Sequence, residues 1–111
     1  MRKRTIAVLL ALAIAAIAAL PVLAATPKIT GTVGPGFTIS MKKPTKAGKY
    51  TLVVSDKSSI HNFHLKGKGV NVKTTVPATG SKTFKITLAK GKYTFLCDPH
   101  PTQMKGSFTI K

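Results

Sequence analysis

From residue 28 to the last residue one pattern recurs: apolar side chains two positions apart, in short runs closed by glycine or proline. Phe37, Ile39 and Met41 alternate with Thr38, Ser40 and Lys42; Phe84, Ile86 and Leu88 alternate with Lys85 and Thr87. Tyr93, Phe95 and Cys97 share a phase, as do Phe108 and Ile110, and weaker runs cover Lys28–Val33, Tyr50–Ser55, Asn62–Leu65 and Val70–Val76. Period two is the signature of strands buried on one face. Turn chemistry separates the runs at Gly34-Pro35-Gly36, Ala47-Gly48-Lys49, Gly67-Lys68-Gly69, Pro77–Gly80 and Lys90-Gly91. No window in this region carries a helical period. Seven or eight strands at this spacing predict an all-β fold, a Greek-key antiparallel β-sandwich that brings strands distant in sequence together.

The first 24 residues read differently. Met1-Arg2-Lys3-Arg4 is a basic start, Ile6 to Leu20 is a continuous apolar run, Pro21 interrupts it, and Val22-Leu23-Ala24 offers small residues for a signal peptidase. The expectation is a signal peptide over residues 1–24, helical in its apolar part, with cleavage after Ala24 or, next best, after Ala25. An uncleaved anchor is the competing reading, because Ile6 to Ala25 is just long enough to span a bilayer. Either way the domain is residues 25–111, and its expected address is periplasmic or secreted.

Composition removes whole classes of chemistry. The 111 residues contain no Glu, and the two acids are Asp56 and Asp98, which leaves no carboxylate pair for glycoside hydrolysis and no carboxylate-rich calcium loop. A single cysteine excludes an internal disulfide and any C-x-x-C zinc or redox motif. A domain this small is short of core volume and is commonly stapled by disulfide, metal or partner, so metal becomes the staple to look for.

Metal donors lie in two clusters. Cys97-Asp98-Pro99-His100-Pro101-Thr102-Gln103-Met104 places a thiol, an imidazole and a thioether on one stretch directly after a strand, with two prolines stiffening the chain around His100. His61-Asn62-Phe63-His64 stands at the head of another strand. One Cys, two His and a weak Met make up the trigonal-plus-axial donor set of blue copper; thiolate and thioether suit Cu(I), and imidazole suits both oxidation states.

The segment Gly91-Lys92-Tyr93-Thr94-Phe95-Leu96-Cys97-Asp98-Pro99-His100, followed by Met104-Lys105-Gly106, resembles the cupredoxins, the small blue (type 1) copper proteins of the plastocyanin, pseudoazurin and amicyanin kind. In that family a further ligand His near the start of a distant strand is commonly followed by Asn, which His61-Asn62 matches. The resemblance implies one type 1 copper ion held strongly by His61, Cys97 and His100 and weakly by Met104, with Asn62 tying the two ligand loops together through hydrogen bonds. It also implies electron entry and exit through His100. Pro101, Thr102 and Gln103 separate His100 from Met104, a spacing between those of amicyanins and plastocyanins.

Strand phase supports His61 over His64. His61, Phe63 and Leu65 share the core phase, which leaves His64 with Asn62 on the other side as a surface histidine. Asp98, between Cys97 and Pro99, reads as a turn former. Arg2, Lys3 and Arg4 account for three of the 18 basic residues, so the domain carries 15 lysines against two aspartates. With no arginine, few aromatics and an export signal, that charge points away from nucleic acid. It points toward an acidic redox partner protein or an anionic membrane surface, with Lys66, Lys68 and Lys105 flanking the metal residues in sequence as docking candidates. The expected function is a monomeric carrier of single electrons. A copper carrier or store outside the cytoplasm and a metal-free structural sandwich are the alternatives. No enzyme activity is expected, since four protein donors leave no coordination position for a substrate.

Overall fold

The computed structural model describes residues 25–111, so the signal-peptide expectation for residues 1–24 lies outside the described residues. Eight strands follow one another: β1 (Lys28–Val33), β2 (Ile39–Met41), β3 (Gly48–Asp56), β4 (His64–Gly67), β5 (Val70–Lys73), β6 (Gly80–Leu88), β7 (Gly91–Leu96) and β8 (Lys105–Ile110). They form two four-stranded sheets, ordered β2-β1-β3-β6 and β5-β4-β7-β8. No helix occurs among the described residues.

The alternation seen in the sequence decides which faces meet. Ile29 and Val33 of β1, Leu52 and Val54 of β3, and Ile86 and Leu88 of β6 point inward from one sheet. Leu65, Val70, Tyr93, Phe95, Phe108 and Ile110 point inward from the other. Polar partners alternate with them on the outer faces, as expected for a two-layer sandwich with solvent on both sides. The second sheet is wholly antiparallel, as predicted. The first is not: β1 and β3 pair in parallel, from Lys28 opposite Thr51 to Val33 opposite Asp56. The three-residue strand β2 returns the chain along the outer edge of β1, so β3 can run alongside β1 in the same direction.

Phe37 also departs from the alternation. The chain does not enter strand until Ile39, because Gly34-Pro35-Gly36 forms a turn with both glycines at positive φ (70° and 71°). Phe37 is therefore 55% exposed and not a core residue.

A column of four residues crosses the sandwich beneath one end. The rings of Phe63 and Phe95 are stacked, with centroids 5.8 Å apart and planes 4° from parallel. Gly31 of β1 lies against Phe63, and Gly106 of β8 lies against Phe95; a Cβ at either glycine would collide with the ring. Each aromatic is one step of two residues from a predicted metal ligand, Phe63 from His61 and Phe95 from Cys97, while Gly106 stands two beyond Met104. The column is the floor of the site described next.

Candidate metal centre

Strand phase places the thiol. Cys97 follows Tyr93 and Phe95 in the inward phase just beyond the end of β7, and its side chain is completely buried. Leu96 pairs with His64 across the sheet, which brings the residues preceding β4 beside Cys97. His61 thereby reaches the thiol across 36 residues of sequence and is itself only 1% exposed. Leu96 also pairs with Lys105, so residues 97–104 close into a loop between neighbouring strands. Within it the Cys97 amide donates to the Met104 carbonyl (3.0 Å), the His100 amide to Cys97 (3.1 Å) and the Met104 amide to His100 (3.0 Å). Two successive turns thus fold His100 back over Cys97 and bury Met104 on the same loop.

Three lone pairs converge there. Cys97 Sγ lies 3.7 Å from Nδ1 of His61 and 3.7 Å from Nδ1 of His100, and the two nitrogens are 3.1 Å apart. One point in the plane of this triangle stands about 2.0 Å from every corner, the length of a bond between imidazole nitrogen and a first-row metal ion. Among the described residues these three side chains form the one such cluster. A thiolate with two imidazoles in a trigonal arrangement is the donor set suited to copper, so the residues present fit the ion that the sequence implied.

Asn62 joins the two loops that supply the ligands. Its Nδ2 donates to the Thr74 carbonyl (3.2 Å) and to Asp98 Oδ2 (2.8 Å), while its Oδ1 accepts from the Asp98 amide (2.8 Å). Thr74 contributes again through its hydroxyl, which accepts from the Phe63 amide at 2.9 Å. Replacing Asn62 with Ala leaves the Thr74 carbonyl and the Asp98 amide without these partners. The expected cost is about 2 kcal/mol, the usual penalty for orphaned buried polar groups. Urea unfolding of the metal-free protein measures it; a change below about 0.5 kcal/mol would mean water replaces the side chain without loss.

Asp98 and His64 do more than the sequence reading gave them. His64 is half-buried, its Nδ1 2.8 Å from Asp98 Oδ1 and its Nε2 2.6 Å from Asn71 Oδ1. Burial pushes the Asp98 carboxyl up, but hydrogen bonds from His64 and Asn62 and the positive charges of His64 and Lys73 outweigh it and hold the carboxyl below its ordinary value. An ionised Asp98 thus clamps the chain after Cys97 to His64 of β4, which Asn71 of β5 holds from its other side. His64 belongs to this clamp and is not a free surface side chain.

Phe37 is the site residue that the alternation concealed. Its ring stands edge-on to both predicted ligand imidazoles, 5.0 Å from His100 and 5.1 Å from His61. His100 is only half-buried, and Ile60, next to His61, is 57% exposed. Phe37 and Ile60 are the exposed large apolar side chains among the described residues, and both lie at this end.

The docking lysines are distributed otherwise than their sequence positions suggest. Lys105, opposite Leu96, stands at the metal end. Lys66 pairs with Thr94 in mid-sheet. Lys68, in the β4–β5 turn, lies at the opposite end, where its carbonyl accepts from the Tyr93 hydroxyl (3.2 Å). β4 runs away from the site, so each residue after His64 is farther from it.

The comparisons with known proteins agree with this geometry. The family model described as copper-binding proteins of the plastocyanin/azurin family matches residues 26–111. No curated protein matches the chain by sequence. Among solved structures the fold is similar to auracyanin A, described as a blue copper protein from the green thermophilic photosynthetic bacterium Chloroflexus aurantiacus. That match has 20% identity and a TM-score of 0.51, covering 76% of this chain and 98% of that one. It is similar also to dithionite-reduced auracyanin from the photosynthetic bacterium Roseiflexus castenholzii, at 20% identity and a TM-score of 0.52, covering 78% of this chain and 96% of that one. Reduced rusticyanin matches at 20% identity and a TM-score of 0.52, covering 76% of each chain. At such identities the structural likeness establishes the fold.

Proposed function

Because the chain belongs to the plastocyanin/azurin family of copper-binding proteins, with His61, Cys97 and His100 positioned to bind a copper ion, we propose that it is an exported carrier of single electrons. The observation that supports this most is the enclosure of the donor triangle. Its thiol and one imidazole are buried, its loops are cross-bonded, and the atoms already stand at bonding separation without rearrangement. Copper bound there supplies a Cu(I)/Cu(II) couple.

The residues divide the work. Cys97 would hold the ion as thiolate, and His61 and His100 would hold it through their Nδ1 atoms. Met104, buried on the ligand loop, would add a weak thioether donor. Asn62 and Asp98 hold the two loops at fixed separation, so the donor positions change little when the electron leaves. His100 is the ligand nearest solvent, and exposed Phe37 and Ile60 give a partner an apolar surface on which to rest beside it. Lys105 is the docking lysine best placed to meet an acidic partner there. In this reading the protein has no substrate position and is not an enzyme.

The test is repeated cycling of the copper-loaded protein with ascorbate and ferricyanide while a copper chelator is present. An electron carrier returns to full colour in each cycle and keeps its metal. Loss of copper to the chelator within the first cycles would make the protein a copper carrier instead. Met104→Leu removes the proposed axial donor and leaves an apolar side chain, which disfavours the more highly charged Cu(II) state. The potential should rise by about 60 mV or more, a tenfold change in the one-electron equilibrium. Voltammetry reads this directly, and an unchanged potential would reduce Met104 to a core residue.

A further inference from the structure

The two ends of the sandwich are electrically unlike. Every connection at the end away from the metal site carries lysine: Lys42 and Lys46 between β2 and β3, where Lys43 instead reaches back over the Phe95 ring (6.0 Å to its centroid), Lys68 between β4 and β5, and Lys90 between β6 and β7. Lys111 joins them after β8, its amide donating to the Thr45 carbonyl at 3.4 Å. All of these lysines are exposed. The four connections at the metal end, over residues 34–38, 57–63, 74–79 and 97–104, contain only Lys57, and both aspartates lie at that end. The nine residues of β3, at roughly 3.3 Å each, put about 30 Å between the ends. The screening length in physiological salt is about 8 Å, so the basic pole contributes almost nothing to events at the metal site.

We propose that this pole is a docking surface for an anionic lipid bilayer, holding the protein on the membrane with the metal end facing away. Two observations select lipid. First, Lys28, Lys42, Lys43 and Lys46 line an open groove of about 270 Å³ around the apolar Ile29 and Tyr50, which offers a lipid both charge for its phosphate headgroup and apolar surface beside it. Second, the chain enters the sandwich at this same pole. β1 runs from Lys28, beside the groove, toward the metal end, so the apolar run Ile6–Leu20 is joined to the basic end. A bilayer that takes up that run, before any cleavage, faces these lysines. Docked this way, the protein leaves His100, Phe37 and Ile60 open to a partner. The inference rests on the placement of charge, groove and chain entry and is independent of the redox reading.

Two charge-matched variants of the full chain provide the test, each losing four positive charges. One carries Lys46, Lys68, Lys90 and Lys111→Gln; the other carries Lys57, Lys73, Lys82 and Lys105→Gln. Binding to phosphatidylglycerol-containing vesicles and to phosphatidylcholine vesicles is followed by co-sedimentation at 50 mM and 500 mM salt. The salt-labile part of the affinity is compared, because insertion of the apolar segment is common to all three proteins and resists salt. A lysine at an anionic surface contributes about fivefold, so the pole variant should lose more than a hundredfold. The metal-end variant should lose less than tenfold. Equal losses in the two variants would mean that only net charge matters and would overturn the proposal. Vesicle binding of the unaltered chain with no salt-labile component would also overturn it, leaving the pole to an acidic protein.

Discussion

Cys97→Ala should abolish the intense blue absorption of the copper-loaded protein completely while leaving a folded sandwich. The colour of such a site comes from the copper–thiolate bond, and this chain has one thiol. No other sulfur can replace it: a thioether is too weak a donor to give the same short bond, and the other methionine of the domain, Met41, is a buried residue of β2. His61 and His100 would remain 3.1 Å apart and could still hold copper through nitrogen, giving a pale spectrum in place of a blue one. The fold should survive, because alanine in the Cys97 position removes one buried sulfur from a core of sixteen apolar side chains. The expected cost to the metal-free protein is about 1–2 kcal/mol. Visible and circular dichroism spectra of the variant separate the two effects. Blue colour in the variant would end the copper–thiolate assignment.

Gly106→Ala should be the most damaging single methyl group that can be added near the site. Its Cβ would overlap the far edge of the Phe95 ring. That ring has little room to tilt, since Phe63 is stacked on one of its faces and Gly31 closes the column behind Phe63. Something in β8, β7 or β1 has to move. Overpacking of this kind costs about 2–3 kcal/mol, which in a domain of this size lowers the melting temperature by roughly 10–20 °C. The displacement is also transmitted upward: Phe95 and Phe63 stand two residues from Cys97 and His61, so the copper band of any folded fraction should shift. Ser107→Ala, on the exposed neighbouring position, is the control and should melt within a degree or two of the unaltered protein. A melting temperature for Gly106→Ala equal to that of the control would show that the column has slack.

Much of this was legible in the chain because strand phase is local. The phase of Tyr93, Phe95 and Cys97 turned the thiol inward, and the phase of Phe63 and Leu65 favoured His61 over His64, with no knowledge of what lay opposite. What the sequence left hidden depends on partners remote in the chain. Asp98 looked like a turn former because Asn62, which accepts its amide proton, is 36 residues away. His64 looked like a plain surface residue because both of its partners, Asp98 and Asn71, lie on other elements. Phe37 read as one more position of the alternating run because it shares a phase with Ile39 and Met41; the Gly34-Pro35-Gly36 turn delays the strand and frees its ring to cover the two histidines. Lys68 seemed close to the site because His61 is near it in sequence, yet an extended strand carries the chain away at about 3.3 Å per residue. The parallel pairing of β1 with β3 has no local signature at all, since it follows from where β2 sends the chain.

The most direct measurement is the visible absorption of residues 25–111 as one equivalent of Cu(II) is added. An intense blue band should grow linearly to one equivalent, bleach with ascorbate and return with oxidant. A pale spectrum, or copper lost on desalting, would contradict the copper–thiolate assignment, because the triangle of Cys97, His61 and His100 would then not be holding the ion through its thiolate.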